Sequence, residues 1–328
     1  MSETLPDRLA VDVRPLAGNA GAEILGVDAS VPPDAPTTAA VRAALLEHKV
    51  VFLRDQPLDY DSQVAFASCF GQVTLGHPIY GGLKGQPLMR EMDSRGEGTR
   101  ANHWHTDLTY LQEPPSLAFL HNKVNPPLGG DTIWANTASA YASLPGGLRR
   151  LADGLRVVHS NDSDYTDDTY SHTGAARAAY VTDVFEAEHP AVRVHPETGE
   201  RALLVGGFAH VVMGYSPAAG RDVLRILQEY ATRPEHTVRW RWAVGDLAIW
   251  DNQASMHYAL RLRELTPPTR ACDRRRSPCG WGRRAPQRTA SWRRPRGSRD
   301  RGMFGEPLEQ GQDSTPHSQR KGHDSCRT

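Results

Sequence analysis

The chain has 328 residues, 39% of them hydrophobic, and carries 38 basic and 38 acidic side chains. This length allows a sizeable core in one large or two medium domains. No apolar run approaches the roughly 18 residues that cross a bilayer and no secretion leader is evident, so we expect a cytoplasmic protein without a membrane segment. Four irregularly spaced cysteines, Cys69, Cys272, Cys279 and Cys326, indicate neither a disulfide framework nor a Cys-rich zinc site.

The first 70 residues alternate between extended and helical patterns. Ala22–Val27 is predicted to be a strand, and Thr37–His48 an amphipathic helix. Val50–Leu53 reads as a buried strand and Tyr60–Phe70 as a second helix.

Short strands bounded by turn residues dominate the middle of the chain. The predicted strands are Ser116–Leu120, Thr132–Trp134, Ala202–Val205, Val238–Trp242 and Leu247–Trp250. Many short strands with few helices favour a mainly β fold, a β-sandwich or jelly roll with helical insertions. No GxGxxG motif or phosphate-binding Gly-rich loop is present, so a nucleotide site is not predicted.

The segment ANHWHTDLTY, residues 101–110, carries the first candidate metal ligands. If it is extended, His105 and Asp107 lie at i and i+2, on one face, where both can reach a single ion. A third candidate is His257, which follows the strand Leu247–Trp250 in IWDNQASMHYAL. Two histidines and one carboxylate that leave coordination positions open suit non-haem Fe(II) oxygenases.

The residues alone leave alternatives open at each of these positions. His103 lies two residues before His105 and could form a rival pair with it. A histidine in a strand is commonly a hydrogen-bonded structural residue, and a histidine after a turn, such as His257, commonly caps backbone groups. Spacing does not decide between these interpretations.

Three blocks together are more specific: WHTDLTY, GGDTIWANTASAY at 129–141, and VRWRWAVGDLAIWDNQASMHYA at 238–259. Their order and separation resemble the taurine dioxygenase family of Fe(II)- and 2-oxoglutarate-dependent oxygenases, which includes alkyl-sulfate-cleaving members. The resemblance runs from about Val11 to Arg274. It implies a double-stranded β-helix (jelly roll), a homodimer or homotetramer, and His105, Asp107 and His257 as ligands of Fe(II), with 2-oxoglutarate and O2 as co-substrates.

The resemblance also implies residues for 2-oxoglutarate and for the substrate. Arg270 would hold the distal carboxylate of 2-oxoglutarate, for which a guanidinium offers a bidentate fork, and Thr132 would assist it. Alternatively, Thr132 is a packing residue of a strand and Arg270 one more arginine of a basic tail. His77, Tyr80 and Phe208 match substrate contacts of taurine-cleaving members, and Arg274 matches a second family arginine near the substrate. Alternatively, Tyr80 and Phe208 are aromatic residues of the core.

The last quarter of the chain departs from the family pattern. Of the 38 basic and 38 acidic residues, 17 and 7 lie in residues 261–328, so 21 and 31 remain for the first 260. Eleven arginines fall between Arg274 and Arg301, and no Leu, Ile, Val, Met or Phe occurs between Leu265 and Met303. We therefore predict a dioxygenase domain at 1–274, lacking its normal C-terminal strand, and a disordered tail at 275–328, best explained by a shifted reading frame.

Two functions follow from these observations. In the first, the protein hydroxylates the carbon next to the sulfur group of a taurine-like sulfonate, or the oxygen-bearing carbon of an alkyl sulfate. It then releases an aldehyde plus sulfite or sulfate, with no nucleic-acid partner. In the alternative, it is an inactive or degenerate member whose basic tail binds nucleic acid or another polyanion.

Overall fold

The computed structural model describes residues 11–79, 81–92, 102–126, 128–162 and 184–260. Its strands are β1 (Asp12–Pro15), β2 (Ala22–Leu25), β3 (Val50–Leu53), β4 (Leu117–His121), β5 (Thr132–Asn136), β6 (Arg156–Ser160), β7 (Glu186–Pro190), β8 (Val192–Val194), β9 (Arg201–Leu203), β10 (Ala209–Val212), β11 (Thr237–Trp240), β12 (Leu247–Asp251) and β13 (Ser255–Ala259). Its α-helices are α1 (Ala35–His48), α2 (Tyr60–Ser68), α3 (Thr137–Ser143), α4 (Gly146–Asp153) and α5 (Pro217–Ala231).

Two sheets pack face to face and form the part of the fold that carries the site. One has the order β1-β2-β3-β12-β4, and the other the order β11-β5-β13. Aromatic side chains fill the space between them. Phe52 of β3 stacks on Trp240 of β11 with ring centroids 4.0 Å apart, and meets Trp134 of β5 edge-on at 5.2 Å. Buried aromatic rings of this size contribute strongly to packing and hold the two sheets at a fixed separation.

Strand β3 also shows why the first sheet is covered on both faces. Side chains alternate along a strand, so Val50 and Phe52 face the second sheet while Val51 and Leu53 pack among residues of α1 and α2. Asp34 caps the N-terminus of helix α1, because its carboxylate accepts the backbone N–H of Thr37 at 3.0 Å. The continuous apolar run of β3 follows from burial on both faces.

The remaining described strands and helix α5 contribute to a second core. Strands β10, β6 and β7 make a three-stranded antiparallel sheet, and β8 pairs with β9. Leu224 and Leu227 of α5 belong to the same buried cluster as Val157 of β6 and Val212 of β10. Helix α5 therefore covers one face of this sheet.

The prediction of a mainly β fold with helices is confirmed. The helices α3, α4 and α5 were not predicted, nor was β13, which contains His257. His105 and Asp107 do not lie in a regular strand: His105 forms an isolated bridge to His257, and a turn begins at Asp107. Among the helices just described, none has the length and apolar character required to cross a membrane. The predicted boundary, the missing strand and the tail fall in residues 261–328, outside the described residues.

Candidate metal centre

The segment 105–107 is bonded to the chain around β13. His105 and His257 exchange two backbone hydrogen bonds, with N···O distances of 3.0 and 2.8 Å. The Thr106 hydroxyl donates to the carbonyl of Ser255 at 2.9 Å. These contacts place two histidines from distant parts of the sequence side by side, with ring centroids 4.1 Å apart.

Asp107 completes a cluster of three side chains of the metal-ligand type. One potential ligand atom from each of His105, Asp107 and His257 lies within 4.8 Å of the other two. The Asp107 Oδ1 atom is 3.5 Å from His105 Nε2 and 3.8 Å from His257 Nε2. Both histidines are buried, at 6% and 8% exposure, whereas the Asp107 side chain is 26% exposed. The cluster is therefore enclosed by protein on the histidine side and accessible beside the carboxylate.

Hydrogen bonds and burial set the protonation states in the cluster. His105 Nδ1 donates to the carbonyl of His103 at 2.9 Å, so Nε2 is the ring nitrogen that faces Asp107, 3.5 Å from Oδ1. Burial, together with the neighbouring His105, lowers the pKa of His257 to about 3. Desolvation by itself would raise the pKa of Asp107, but the facing His257 and His105 and the Trp250 N–H outweigh it and lower that pKa to about 2. At neutral pH His257 is therefore a neutral imidazole and Asp107 a carboxylate.

This donor set fits a divalent first-row metal ion. Two imidazoles and one carboxylate are ligands typical of non-haem Fe(II), and each side chain here places one potential ligand atom within 4.8 Å of the other two. Trp250 Nε1 donates to the other carboxylate oxygen, Asp107 Oδ2, at 3.1 Å. Because that oxygen is engaged by the indole, Oδ1 is the oxygen left for an ion.

The rival residue, His103, does not belong to the cluster. Its ring lies beside His105 with centroids 4.7 Å apart and meets Phe208 edge-on at 5.8 Å. Gly207 leaves the space for it, because a Cβ atom at that position would lie 2.1 Å from His103 Cδ2. His103 therefore packs beside the candidate ligands, and its backbone carbonyl orients His105.

Thr132 lies on the same face of the second sheet as His257. It sits opposite Ala259 in the pairing of β5 with β13, and Trp134, two residues along β5, stacks on the His257 ring at 6.2 Å. The Thr132 hydroxyl accepts a hydrogen bond from Trp242 Nε1 at 3.0 Å. A hydroxyl that accepts from one neighbour keeps its own proton for another partner.

His77, Tyr110 and Phe208 form a chain of contacts that reaches the cluster where the Phe208 ring meets that of His105, with centroids 5.9 Å apart. Burial, with the nearby Arg90, lowers the pKa of His77 to about 4, so this ring is neutral at pH 7. Its Nδ1 accepts the backbone N–H of Ile79 at 3.1 Å, so Nε2 carries the proton and points to the Tyr110 hydroxyl, 3.5 Å away. Phe208 contacts Tyr110 edge-on with centroids 5.1 Å apart.

Some residues of the site were not predicted from the sequence, and some predicted residues lie outside the described ranges. Tyr110, Trp250 and Asn252 were not singled out, although Tyr110 ends the WHTDLTY block and the other two stand seven and five residues before His257. The predicted substrate residues Tyr80 and Arg274, and the predicted 2-oxoglutarate residue Arg270, are outside the described ranges.

Comparisons with known proteins identify the family of the chain. Residues 12–271 match the family model described as taurine catabolism dioxygenase TauD, TfdA family. An α-ketoglutarate-dependent sulfate ester dioxygenase of Pseudomonas putida is 47% identical over 262 residues, which is 78% of this chain and 86% of that protein. An alkylsulfatase of Acinetobacter baylyi is 42% identical over 255 residues, covering 76% and 80% of the two chains.

A solved structure shares the fold as well as the sequence pattern. The crystal structure of a taurine dioxygenase from Burkholderia xenovorans superposes with a TM-score of 0.63 at 40% sequence identity, covering 76% of this chain and 83% of that one. Because the family model spans most of the sequence and the relatives align over most of their own lengths, this chain belongs to the TauD/TfdA family of dioxygenases.

Proposed function

We propose that the protein is an Fe(II)- and 2-oxoglutarate-dependent dioxygenase that cleaves alkyl sulfate esters. The observation that carries this proposal is the convergence of His105, Asp107 and His257 within a chain that is 47% identical to a sulfate ester dioxygenase. The overall reaction converts 2-oxoglutarate, O2 and an alkyl sulfate into succinate, CO2, an aldehyde and sulfate. Bound Fe(II) would supply the activation of O2 that couples decarboxylation to oxidation of the carbon bearing the ester oxygen.

The residues of the chain bind and orient the reactants. His105, Asp107 and His257 are proposed to hold the iron. The Thr132 hydroxyl, whose oxygen accepts from Trp242, is free to donate to the distal carboxylate of 2-oxoglutarate. Arg270 is proposed as the charged partner of the same carboxylate, because a guanidinium binds it through two parallel hydrogen bonds.

The sulfate group of the substrate is proposed to lie beside the polar atoms of His77 and Tyr110, which are 3.5 Å apart. The neutral His77 ring carries its proton at Nε2, beside the Tyr110 hydroxyl, and both groups are donors of the kind that sulfate oxygens accept. Phe208 offers an apolar surface for the first carbons of the alkyl chain. Arg274 is proposed to balance the sulfate charge, and Tyr80 to line the same pocket.

The fold, the oligomeric state and the location of the enzyme are also proposed. The two facing sheets are proposed to be the layers of a double-stranded β-helix without its normal C-terminal strand. The enzyme is proposed to act in the cytoplasm as a homodimer or homotetramer, which analytical ultracentrifugation of the full chain tests.

Asp107→Ala tests the proposed function. Purified full-length protein with Fe(II), 2-oxoglutarate and a medium-chain alkyl sulfate should release sulfate, and omission of either Fe(II) or 2-oxoglutarate should abolish the release. Asp107→Ala should show no release above background, because the carboxylate ligand is gone. The matched control is Asp222→Ala, which removes a carboxylate that is 72% exposed on α5 and should leave the rate unchanged. Sulfate release that persists in Asp107→Ala would refute the proposal.

A taurine-like sulfonate is the second candidate substrate, favoured by the 40% identity to a taurine dioxygenase. The same assay with an alkyl sulfonate, followed by sulfite release, distinguishes the two. We expect the alkyl sulfate to have the higher kcat/KM, since the relatives at 47% and 42% identity carry sulfate ester and alkylsulfatase names.

A further inference from the structure

The side chain of Asn252 forms a two-bond pair with the backbone of Asp107. Asn252 Oδ1 accepts the N–H of Asp107 at 2.9 Å, and Asn252 Nδ2 donates to the carbonyl of Asp107 at 3.0 Å. The two residues are 145 positions apart in the sequence, and Asn252 has no exposed surface. The orientation of the amide is fixed, because a flipped amide would set donor against donor and acceptor against acceptor.

This pair continues the series of hydrogen bonds that joins His105 and Thr106 to strand β13. His105 pairs with His257 through two backbone bonds, and the hydroxyl of Thr106 reaches the carbonyl of Ser255. Asn252 lies in the turn between β12 and β13. The carboxamide of Asn252 then makes the donor and acceptor contacts that a peptide group of a neighbouring strand would make.

The two bonds fix the peptide planes on both sides of the Asp107 Cα atom. The N–H belongs to the preceding peptide and the carbonyl to the following one, so together they set the direction of the Cα–Cβ bond. This constraint is needed because the next residue, Leu108, has a φ of +53°, a left-handed conformation that is uncommon for a side chain of this kind. Because Asp107 lies at the start of a turn and not in a strand or helix, its backbone must be held by contacts with other parts of the chain.

Asn252 also closes the loop that begins at Asp107. Its Nδ2 donates to the carbonyl of Pro115 at 2.9 Å, and its backbone N–H donates to the carbonyl of Ser116 at 2.9 Å. Both ends of the loop, which carries Tyr110 in its interior, are therefore bonded to a single buried residue.

We infer that Asn252 is a positioning residue of the metal centre, which holds the Asp107 carboxylate at the ligand position by fixing the backbone that carries it. The inference rests on the proposed function, since it takes Asp107 as a ligand. Asn252 acts through Asp107 and has no direct role toward the ion. Outer-shell partners of metal ligands typically change metal affinity by about 10- to 100-fold when removed, and that is the effect expected here.

The test compares metal affinity in matched variants of the full chain. Co(II) is the probe, followed by calorimetry and by its visible absorption spectrum, which reports the coordination geometry. Asn252→Ala removes all three side-chain bonds, and Asn252→Asp keeps the acceptor but removes the two donors. The control is Asn136→Ala: Asn136 is 6% exposed and makes three hydrogen bonds, to Ala138, Ser139 and Asn19, away from Asp107.

Both Asn252 variants should bind Co(II) about 10- to 100-fold more weakly than the wild type, with an altered spectrum. Asn136→Ala should keep wild-type affinity, although its melting temperature also falls. In an Asp107→Ala background, Asn252→Ala should cause no further loss of affinity. If one variant does not fold, the other serves for the comparison.

Wild-type Co(II) affinity and spectrum in the Asn252 variants would overturn the inference, provided that Asp107→Ala binds weakly. If Asp107→Ala itself binds Co(II) as tightly as the wild type, the proposed metal centre is wrong, and the failure lies with the proposed function. Loss of affinity in Asn136→Ala equal to that in Asn252→Ala would reduce the effect to general destabilisation and would also overturn the inference.

Discussion

Replacing Thr132 with valine separates a structural hydrogen bond from a proposed ligand contact. Thr132 is 6% exposed, and its hydroxyl accepts from Trp242 Nε1 at 3.0 Å. Valine keeps the shape of the side chain but leaves the indole N–H without an acceptor, at a cost of about 1–3 kcal/mol. A loss of about 2 kcal/mol corresponds to a fall of about 4–8 °C in melting temperature for a domain of about 150–250 residues.

The same substitution removes the proposed donor to 2-oxoglutarate. A hydrogen bond to a charged group contributes about 1.5–3 kcal/mol, so the Kd of 2-oxoglutarate should rise by about 10- to 150-fold. Thr132→Ser keeps the hydroxyl and should leave both quantities close to wild type. In Thr132→Val/Trp242→Phe the unsatisfied N–H is gone, so the melting temperature should partly recover while the Kd stays high.

Two measurements are sufficient: thermal melting without ligand, and anaerobic calorimetric titration of the Mn(II)-loaded protein with 2-oxoglutarate. The reasoning is refuted if Thr132→Val lowers the melting temperature but binds 2-oxoglutarate with wild-type Kd. In that case Thr132 is a packing residue of the strand that accepts the Trp242 hydrogen bond and does not contact 2-oxoglutarate.

Three further predictions concern the side chains around the site and the tail. Trp250→Phe removes the N–H whose hydrogen bond Asp107 Oδ2 accepts, so the pKa of Asp107 should rise from about 2. The affinity for Co(II) should fall by about 10- to 100-fold. An unchanged affinity would contradict this role of Trp250. His159 is 1% exposed, and burial lowers its pKa from 6.5 to about 3, so the unfolded state takes up the proton first as pH falls. Its contribution to stability is present above pH 6.5 and should fall by about 2 kcal/mol between pH 7 and pH 5. His159→Gln should flatten that slope in urea unfolding, and a slope equal to wild type would exclude His159 as its source. Truncation after Arg276 should leave melting temperature and sulfate release unchanged, because residues 277–302 contain no Leu, Ile, Val, Met or Phe that could pack. An unfolded product would refute the tail assignment.

The elements that the sequence predicted well are those whose local signals agree with their packing. Val50–Leu53 is apolar throughout because β3 is buried on both faces. Helix α1 was predicted two residues short at its start, since the Asp34 cap and Pro36 extend it to Ala35. Helix α5 was missed although Ser216 and Pro217 form a recognisable helix start.

Other elements carry no clear pattern in the sequence. Strand β13 reads SMHYA, with Ser255 and His257 buried because they face the site and neighbouring backbone instead of an apolar core. In the short strands β6 and β7 the charged Arg156 and Glu188 are exposed, but buried positions are taken by His159 and His189, so the apolar alternation expected of a half-buried strand is weak.

The candidate metal ligands could be predicted from the sequence, but the side chains that hold the site residues in position could not. The WHTDLTY block and the later histidine identify the cluster, although the strand expected to align His105 with Asp107 is replaced by a bridge and a turn. The side chains that hold these residues act over long separations in sequence: 145 residues for Asn252 with Asp107, and 110 for Trp242 with Thr132. No local pattern encodes such contacts, because they exist only after the two sheets have packed.

The identity of the organic product tests the central claim most directly. When the protein is incubated with Fe(II), 2-oxoglutarate, O2 and an alkyl sulfate, oxidation at the carbon bearing the ester oxygen yields an aldehyde, whereas hydrolysis of the ester yields the alcohol. Gas chromatography of the organic product, with succinate and sulfate measured in the same sample, distinguishes the two. The account predicts aldehyde, sulfate and succinate in equal amounts. Alcohol and sulfate formed without succinate would contradict it.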